Sequence, residues 1–159
     1  MKPKPFRSQP IENRSNHVRN ISDGKVWHRC GYRVLYADTD RSQVVYHANY
    51  LRYFEQGRAS LMREAGYPYK AVEASGLVYP IIEIGVTYHT ALEYDDAVWI
   101  YTRPGTLERV RLQFDYVITH AQTGDTVCTG FTRHCATNGA GVPVGIDAMT
   151  LKLWHNFPK

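Results

Sequence analysis

Two carboxylates, Asp38 and Asp40, stand on either side of Thr39 in the stretch Tyr36-Ala37-Asp38-Thr39-Asp40-Arg41-Ser42-Gln43-Val44-Val45-Tyr46-His47. A carboxylate so placed can act as nucleophile or general base toward an electrophilic carbon. It can equally do no chemistry and accept hydrogen bonds from the amides of a turn or a helix start. The residues after Asp40 bear on the choice, because an amphipathic run opens at His47. The first N–H groups of a helix have no intrahelical acceptors, and the macrodipole adds partial positive charge at that end. Such a helix start can stabilise an oxygen that is becoming anionic.

Other chemistry-bearing residues are more scattered. Glu55 follows Asp40 by fifteen positions, on the same amphipathic run, and is expected to form a buried hydrogen bond or an ion pair with Arg58. His89, His120 and His134 fall on strand-like segments without the three or four converging ligands a metal site needs, so no metal and no cofactor is expected. Cys30, Cys128 and Cys135 are an odd number at no ligand spacing, and no apolar leader segment precedes them. That pattern argues for a reducing, cytoplasmic location rather than a disulfide framework.

The elements that position these groups are read from periodicity. Apolar and polar residues alternate from Tyr32 to Tyr36, as in a strand that breaks at Ala37-Asp38. From His47 the period lengthens: Tyr50, Leu51, Phe54, Arg58, Leu61, Met62 and Ala65 form one helical stripe, and Gly66 and Pro68 supply the stop. The spacing predicts one long helix over 47–65. Strand patterns then occupy Leu77–Thr87, Val98–Arg103, Leu112–Ile118 and Val127–Arg133, separated by turn signals too short for parallel crossovers. One antiparallel sheet and one long helix give an α+β fold in which the sheet wraps around the helix.

The 159 residues suffice for one domain, read as 31–159. Of the net charge of +4, the first thirty residues hold seven Lys and Arg against two acids, leaving the remainder at −1. With three prolines and little apolar content, residues 1–30 are expected to be a flexible basic extension, and without aromatic interleaving they do not suggest nucleic-acid binding. No apolar stretch reaches the roughly 20 residues that span a bilayer.

The order strand, long helix, four strands, together with Tyr36-Ala37-Asp38-Thr39-Asp40 and Val44-Val45-Tyr46-His47-Ala48-Asn49-Tyr50, resembles the hot-dog fold and within it the 4-hydroxybenzoyl-CoA thioesterase family. Tyr94-Asp95-Asp96-Ala97-Val98 is similar to the family's turn into its third strand, and the likeness covers about residues 31–140. The resemblance implies an acyl-CoA thioesterase in which Asp40 is nucleophile or general base and the amide of His47 polarises the thioester carbonyl. It further implies that Tyr46 borders the substrate and that Arg109 and Arg111 are candidate contacts for the CoA phosphates. The site would lie at the interface of a homo-oligomer, a dimer or a tetramer. Asp38 keeps the reading of a turn and capping residue. This chain departs from the family at Ser42 and Gln43, where a glycine is common, so a backbone conformation easy for glycine must be held by glutamine if the turn is retained.

Other readings share parts of this pattern. Asp38-Thr39-Asp40-Arg41-Ser42 after an apolar strand is similar to the first motif of haloacid-dehalogenase phosphatases, which require alternating strands and helices around a parallel sheet. A hot-dog hydratase or dehydratase would need a His paired with an acid, and no such signature is visible. A non-catalytic hot-dog module that binds acyl thioesters or a protein would look the same in sequence.

Overall fold

The computed structural model describes residues 4–159. Seven strands form one sheet: β1 (Ser8–Ile11), β2 (Arg14–Asn20), β3 (Val26–Arg33), β4 (Ile81–Tyr88), β5 (Ala97–Leu107), β6 (Arg111–His120) and β7 (Thr126–Cys135). Their order is β1-β2-β3-β5-β6-β7-β4, and every pairing is antiparallel. An antiparallel sheet removes the scaffold of the phosphatase reading. Between β3 and β4 the chain makes a 3-10 turn (His47–Asn49), the central helix α1 (Tyr50–Glu64) and a short helix α2 (Tyr69–Ala74). The fold is the expected α+β hot-dog arrangement, a sheet curled around one long helix.

α1 buries Tyr50, Tyr53, Phe54, Gly57, Leu61 and Met62; Tyr50, Phe54, Leu61 and Met62 belong to the stripe read from the sequence, whereas Leu51 and Arg58 are only half-buried, Ala65 is exposed, and Tyr53 and Gly57 take the inner places. Phe54 stacks on Tyr116 of β6 with ring centroids 4.3 Å apart and an interplanar angle of 8°. Gly57 lets the helix close on β5: a methyl group there would overlap the Thr102 hydroxyl and come within 2.8 Å of Ile100 Cγ2. A glycine inside a helix costs about 1 kcal/mol in propensity, and here it permits the close approach of helix and sheet.

Four expectations need correction. The strand read over Tyr32–Tyr36 is the end of β3, which stops at Arg33 because the Leu35 N–H turns away to the Asp38 carboxylate and residues Tyr36–Asp38 coil into a 3-10 turn. The strand read from Leu77 begins at Ile81, just past Pro80, which has no N–H for a ladder. The extension read over residues 1–30 is structured from Ser8 onward, since β1 and β2 form a hairpin that pairs with β3; residues 1–3 lie outside the described residues. Finally, strands as apolar as Val98–Tyr101 and Leu112–Ile118 carry more apolar surface than one helix covers, which suggests a neighbouring subunit, but their outer face is not left bare. The outward-facing Tyr101 and Val117 are buried with Val18 and Trp27, and Phe6 packs on that cluster. Phe6 thus covers this part of the sheet's outer face, while the N-terminal hairpin extends the sheet's edge.

A third helix, α3 (Ala148–Asn156), closes the structure, capped by the Asp147 carboxylate accepting from the Thr150 N–H at 3.0 Å. Among the described residues no helix is long and apolar enough to cross a membrane.

Candidate active site

The joint between β3 and α1 is organised by Asp38, which is fully buried. Its Oδ2 accepts from the Tyr32 hydroxyl at 2.7 Å, the Leu35 N–H at 2.9 Å and the Tyr53 hydroxyl at 3.0 Å, and Arg52 Nη1 lies 3.5 Å from Oδ1. Its carbonyl accepts from the Tyr46 N–H and from Asn49 Nδ2. Burial alone would raise the carboxyl pKa, but the bonds from Tyr32, Leu35 and Tyr53, with Arg52 beside them, outweigh it and hold the group below its ordinary value. The same contacts, burial first, push the Tyr32 hydroxyl up to about 12. Asp38 therefore ties strand, turn and helix together through groups that leave it no room for a substrate.

Asp40 has the opposite character. It is exposed at the tip of the turn that the Thr39–Val45 bridge closes. One carboxylate oxygen, Oδ1, accepts from the Ser42 N–H at 2.8 Å, while the backbone N–H donates to Val44 and the carbonyl accepts from Gln43. Pinning one oxygen fixes the rotamer and leaves Oδ2 to face outward. Gln43 has φ +66°, a left-handed conformation easy for glycine and held here by glutamine.

The helix entry completes the arrangement. The Val45 N–H donates to Leu92, the Tyr46 N–H to Asp38 and the Asn49 N–H to Tyr46, whereas the His47 N–H donates to no acceptor among the described residues. The Tyr88 hydroxyl donates to the His47 carbonyl at 2.6 Å and fixes the orientation of the turn. The His47 ring is exposed and lies against Tyr46, centroids 4.3 Å apart, so Tyr46 and His47 present one aromatic face beside the turn. Asp40, Tyr46 and His47 are thus brought onto one joint.

Arg109 and Arg111 are not. Arg33 at the Asp40 end of β3 pairs with Ala97, the first residue of β5, and the two arginines lie past the far end of that strand. Ten residues of strand separate the two ends by about 30 Å. Glu55 is also not where the sequence placed it, being exposed and without an ion pair to Arg58 among the described residues. It borders an apolar cavity of about 150 Å³ between α1, the sheet and α3, lined by Tyr69, Tyr79, Leu112, Phe114 and Trp154. Asp40 borders neither this cavity nor those lined by His17 and Glu64, by Phe6 and Trp99, and by Trp27 and Phe131. His89, His120 and His134 stay apart: His134 is buried between the Tyr79 carbonyl and Thr132 and is pushed down to about 4 by burial, His120 faces Asp96, and His89 approaches Thr129.

Two positioning residues are not singled out by the sequence pattern. Asn49 sits within the quoted motif, immediately ahead of α1, where its side-chain amide reaches back to the Asp38 carbonyl. Tyr88 comes from an edge strand forty-one residues away, and nothing local announces it.

Comparison with known proteins agrees with this geometry. A family model described as the thioesterase-like superfamily matches residues 34–152, three-quarters of the chain. The YneP protein of Bacillus subtilis is 38% identical over 69 residues, 43% of this chain and about half the length of that relative. The acyl-CoA thioester hydrolase YbgC of Escherichia coli is 30% identical over 57% of this chain and 67% of its own. Among solved structures, a DHNA-CoA thioesterase from Staphylococcus aureus superposes with a TM-score of 0.75 at 26% identity, covering 81% of this chain and 86% of that one.

Proposed function

Because this chain belongs to the thioesterase-like superfamily of hot-dog acyl-CoA thioesterases, we propose that it hydrolyses an acyl-CoA thioester at the β3–α1 joint, releasing a carboxylic acid and CoA with Asp40 as the reactive group. The observation that carries this reading is the pairing of an exposed carboxylate, one oxygen pinned by Ser42, with a helix-entry amide at His47 that has no acceptor within the described chain. The thioester carbonyl oxygen accepts from the His47 N–H as it becomes anionic. Asp40 either attacks the carbonyl carbon, giving an acyl anhydride that water then hydrolyses, or removes a proton from the attacking water; on both routes the tetrahedral adduct expels the CoA thiolate, which takes up a proton. Tyr46 borders the acyl group.

Assembly belongs to the same proposal. Asp40 is exposed at the tip of its turn, and its own Arg109 and Arg111 lie about 30 Å away along β5. A second copy supplies the missing wall, and the partner subunit's Arg109 and Arg111 are assigned to the CoA phosphates. Edge strand β4, with Ile81, Ile82 and Ile84 exposed, offers the ladder on which two sheets join. The unpaired cysteines Cys30, Cys128 and Cys135 accord with a cytoplasmic location.

Asp40→Asn keeps the size of the side chain and the acceptor for Ser42 but removes base and nucleophile. Over a panel of acyl-CoAs followed by thiol release, kcat is expected to fall by about 10²- to 10⁴-fold with the melting temperature unchanged. Wild-type turnover in this variant would refute the assignment of Asp40. No hydrolysis of any panel member by the parent protein would favour a binding module.

A further inference from the structure

The end of α1 remote from Asp40 carries a second cluster, unused by the reaction. His17 of β2 and His28 of β3 are directly opposed in the antiparallel ladder, and Glu64, the last residue of α1, reaches both. Its Oε1 lies 3.6 Å from His17 Nδ1 and its Oε2 lies 2.9 Å from His28 Nδ1. One donor atom from each of the three residues falls within 4.8 Å of the others. His28 is only 1% exposed, and its Nε2 is 2.9 Å from the Ser60 hydroxyl. Glu64 sits off the axis of His28 Nδ1, so that buried nitrogen has no hydrogen-bond partner despite the short distance. A buried polar atom left unmatched in this way is costly and calls for an explanation.

We propose that His17, His28 and Glu64 bind one divalent transition-metal ion of the zinc class, clamping the N-terminal hairpin to the end of the central helix. Two imidazoles and a carboxylate are a donor set that zinc accepts in tetrahedral geometry, whereas magnesium and calcium require oxygen ligands. The Ser60 hydroxyl, accepting from His28 Nε2–H, selects the tautomer that leaves the Nδ1 lone pair for the ion, the usual role of an outer partner. The fourth position opens on a cavity of about 270 Å³ bordered by Arg14, Tyr67, Lys152 and Asn156, where water completes the tetrahedron. Arg14 lines the same cavity, and its charge opposes a cation there.

The role is structural. Fourteen helical steps put Glu64 about 20 Å from the start of α1, beyond reach of a thioester bound there. The three ligands come from three elements, and two of them lie ahead of the residues matched by the family model, which begins at Val34. The site therefore joins one ligand of the N-terminal hairpin, His17, to His28 of β3 and Glu64 of α1.

The test uses the full chain freed of metal, titrated with zinc chloride and with cobalt chloride. One equivalent is expected to bind, cobalt with the intense visible bands of a tetrahedral site. At about a hundredfold excess over the dissociation constant the melting temperature should rise by about 5 °C or more. His17→Gln and Glu64→Gln, both at partly exposed positions, should fold by circular dichroism, weaken binding at least about tenfold and abolish the rise. Removing the metal with EDTA should lower the melting temperature while leaving acyl-CoA turnover at an assay temperature below both transitions unchanged, and this readout is independent of Asp40. Octahedral cobalt alone, variants that bind as the parent does, or an equal rise with magnesium would overturn the site. Turnover lost with EDTA and restored by zinc would overturn its structural role.

Discussion

Replacing Asp38 with Asn tests whether the joint is held by a buried charge. Three donors converge on one oxygen, from Tyr32, Leu35 and Tyr53, at 2.7, 2.9 and 3.0 Å. Asparagine can keep its carbonyl oxygen in that position, so the bonds survive as neutral ones. A hydrogen bond to a charged group contributes about 1.5–3 kcal/mol and a neutral one about 0.5–1.5 kcal/mol, a difference of about 1 kcal/mol for each bond. Arg52 adds little, being mostly exposed and 3.5 Å away. The sum is about 3 kcal/mol, reduced somewhat because the amide costs less to bury than the carboxylate. For a chain of this size that corresponds to a melting temperature lower by roughly 5–10 °C at pH 7. The pH dependence gives the sharper control. A carboxyl held below its ordinary value in the fold stabilises fully above the unfolded pKa of about 3.9, and that stabilisation is lost as pH falls through the folded value. Parent and variant melting temperatures should therefore converge in acid. Urea unfolding at pH 7 and at successively lower pH measures both effects. A variant within a degree or two of the parent at pH 7, or a gap that stays constant down the acid range, would refute an ionised Asp38 at the centre of the joint. Where the variant is folded it should retain far more turnover than Asp40→Asn.

Gly57→Ala improves helix propensity by about 1 kcal/mol, yet its methyl group would meet Thr102 and Ile100, and overpacking of that kind costs about 1–3 kcal/mol. Thermal melting should show a lower transition, and a rise would mean that α1 is not seated as described. Gln43→Gly relieves a left-handed residue and should raise the melting temperature by about 1–2 °C with turnover unchanged; a drop would show that the glutamine side chain supports the turn. Ile84→Lys on the β4 edge should give a species near 18.2 kDa by light scattering and should lose turnover together with assembly, whereas an active monomer would sink the shared site.

The elements legible in the sequence are those whose own residues carry the signal. The α1 stripe needs no tertiary help, and Val44-Val45-Tyr46-His47 marks the helix entry. The left-handed turn at Gln43 is legible because its cost is local. β1 and β2 are not, since only Val18 and Asn20 of β2 are buried, and their place depends on Phe6, Trp27, Tyr101 and Val117 meeting across four separate segments. Asn13, at φ +62°, is the one local hint of that hairpin. α3 is announced by Asp147 three residues ahead of Thr150, a capping spacing obscured by the glycines and prolines before it. Tyr88, like the meeting of His17 with His28 and Glu64, requires long-range pairing that periodicity does not encode.

The two aspartates share a segment of three residues and divide its tasks by burial. Asp38 can hold three donors on one oxygen only because Tyr32 and Tyr53 arrive from β3 and from the first turn of α1, so its carboxylate reports that strand and helix have docked. Docking in turn sets the Thr39–Val45 bridge, and that bridge presents Asp40 outward with its rotamer fixed by Ser42. The exposed Asp40 carboxylate, proposed as the reactive group, is thus positioned by backbone that a buried charge locks in place. That separation lets stability and turnover be changed independently, two residues apart, which a single shared carboxylate could not allow.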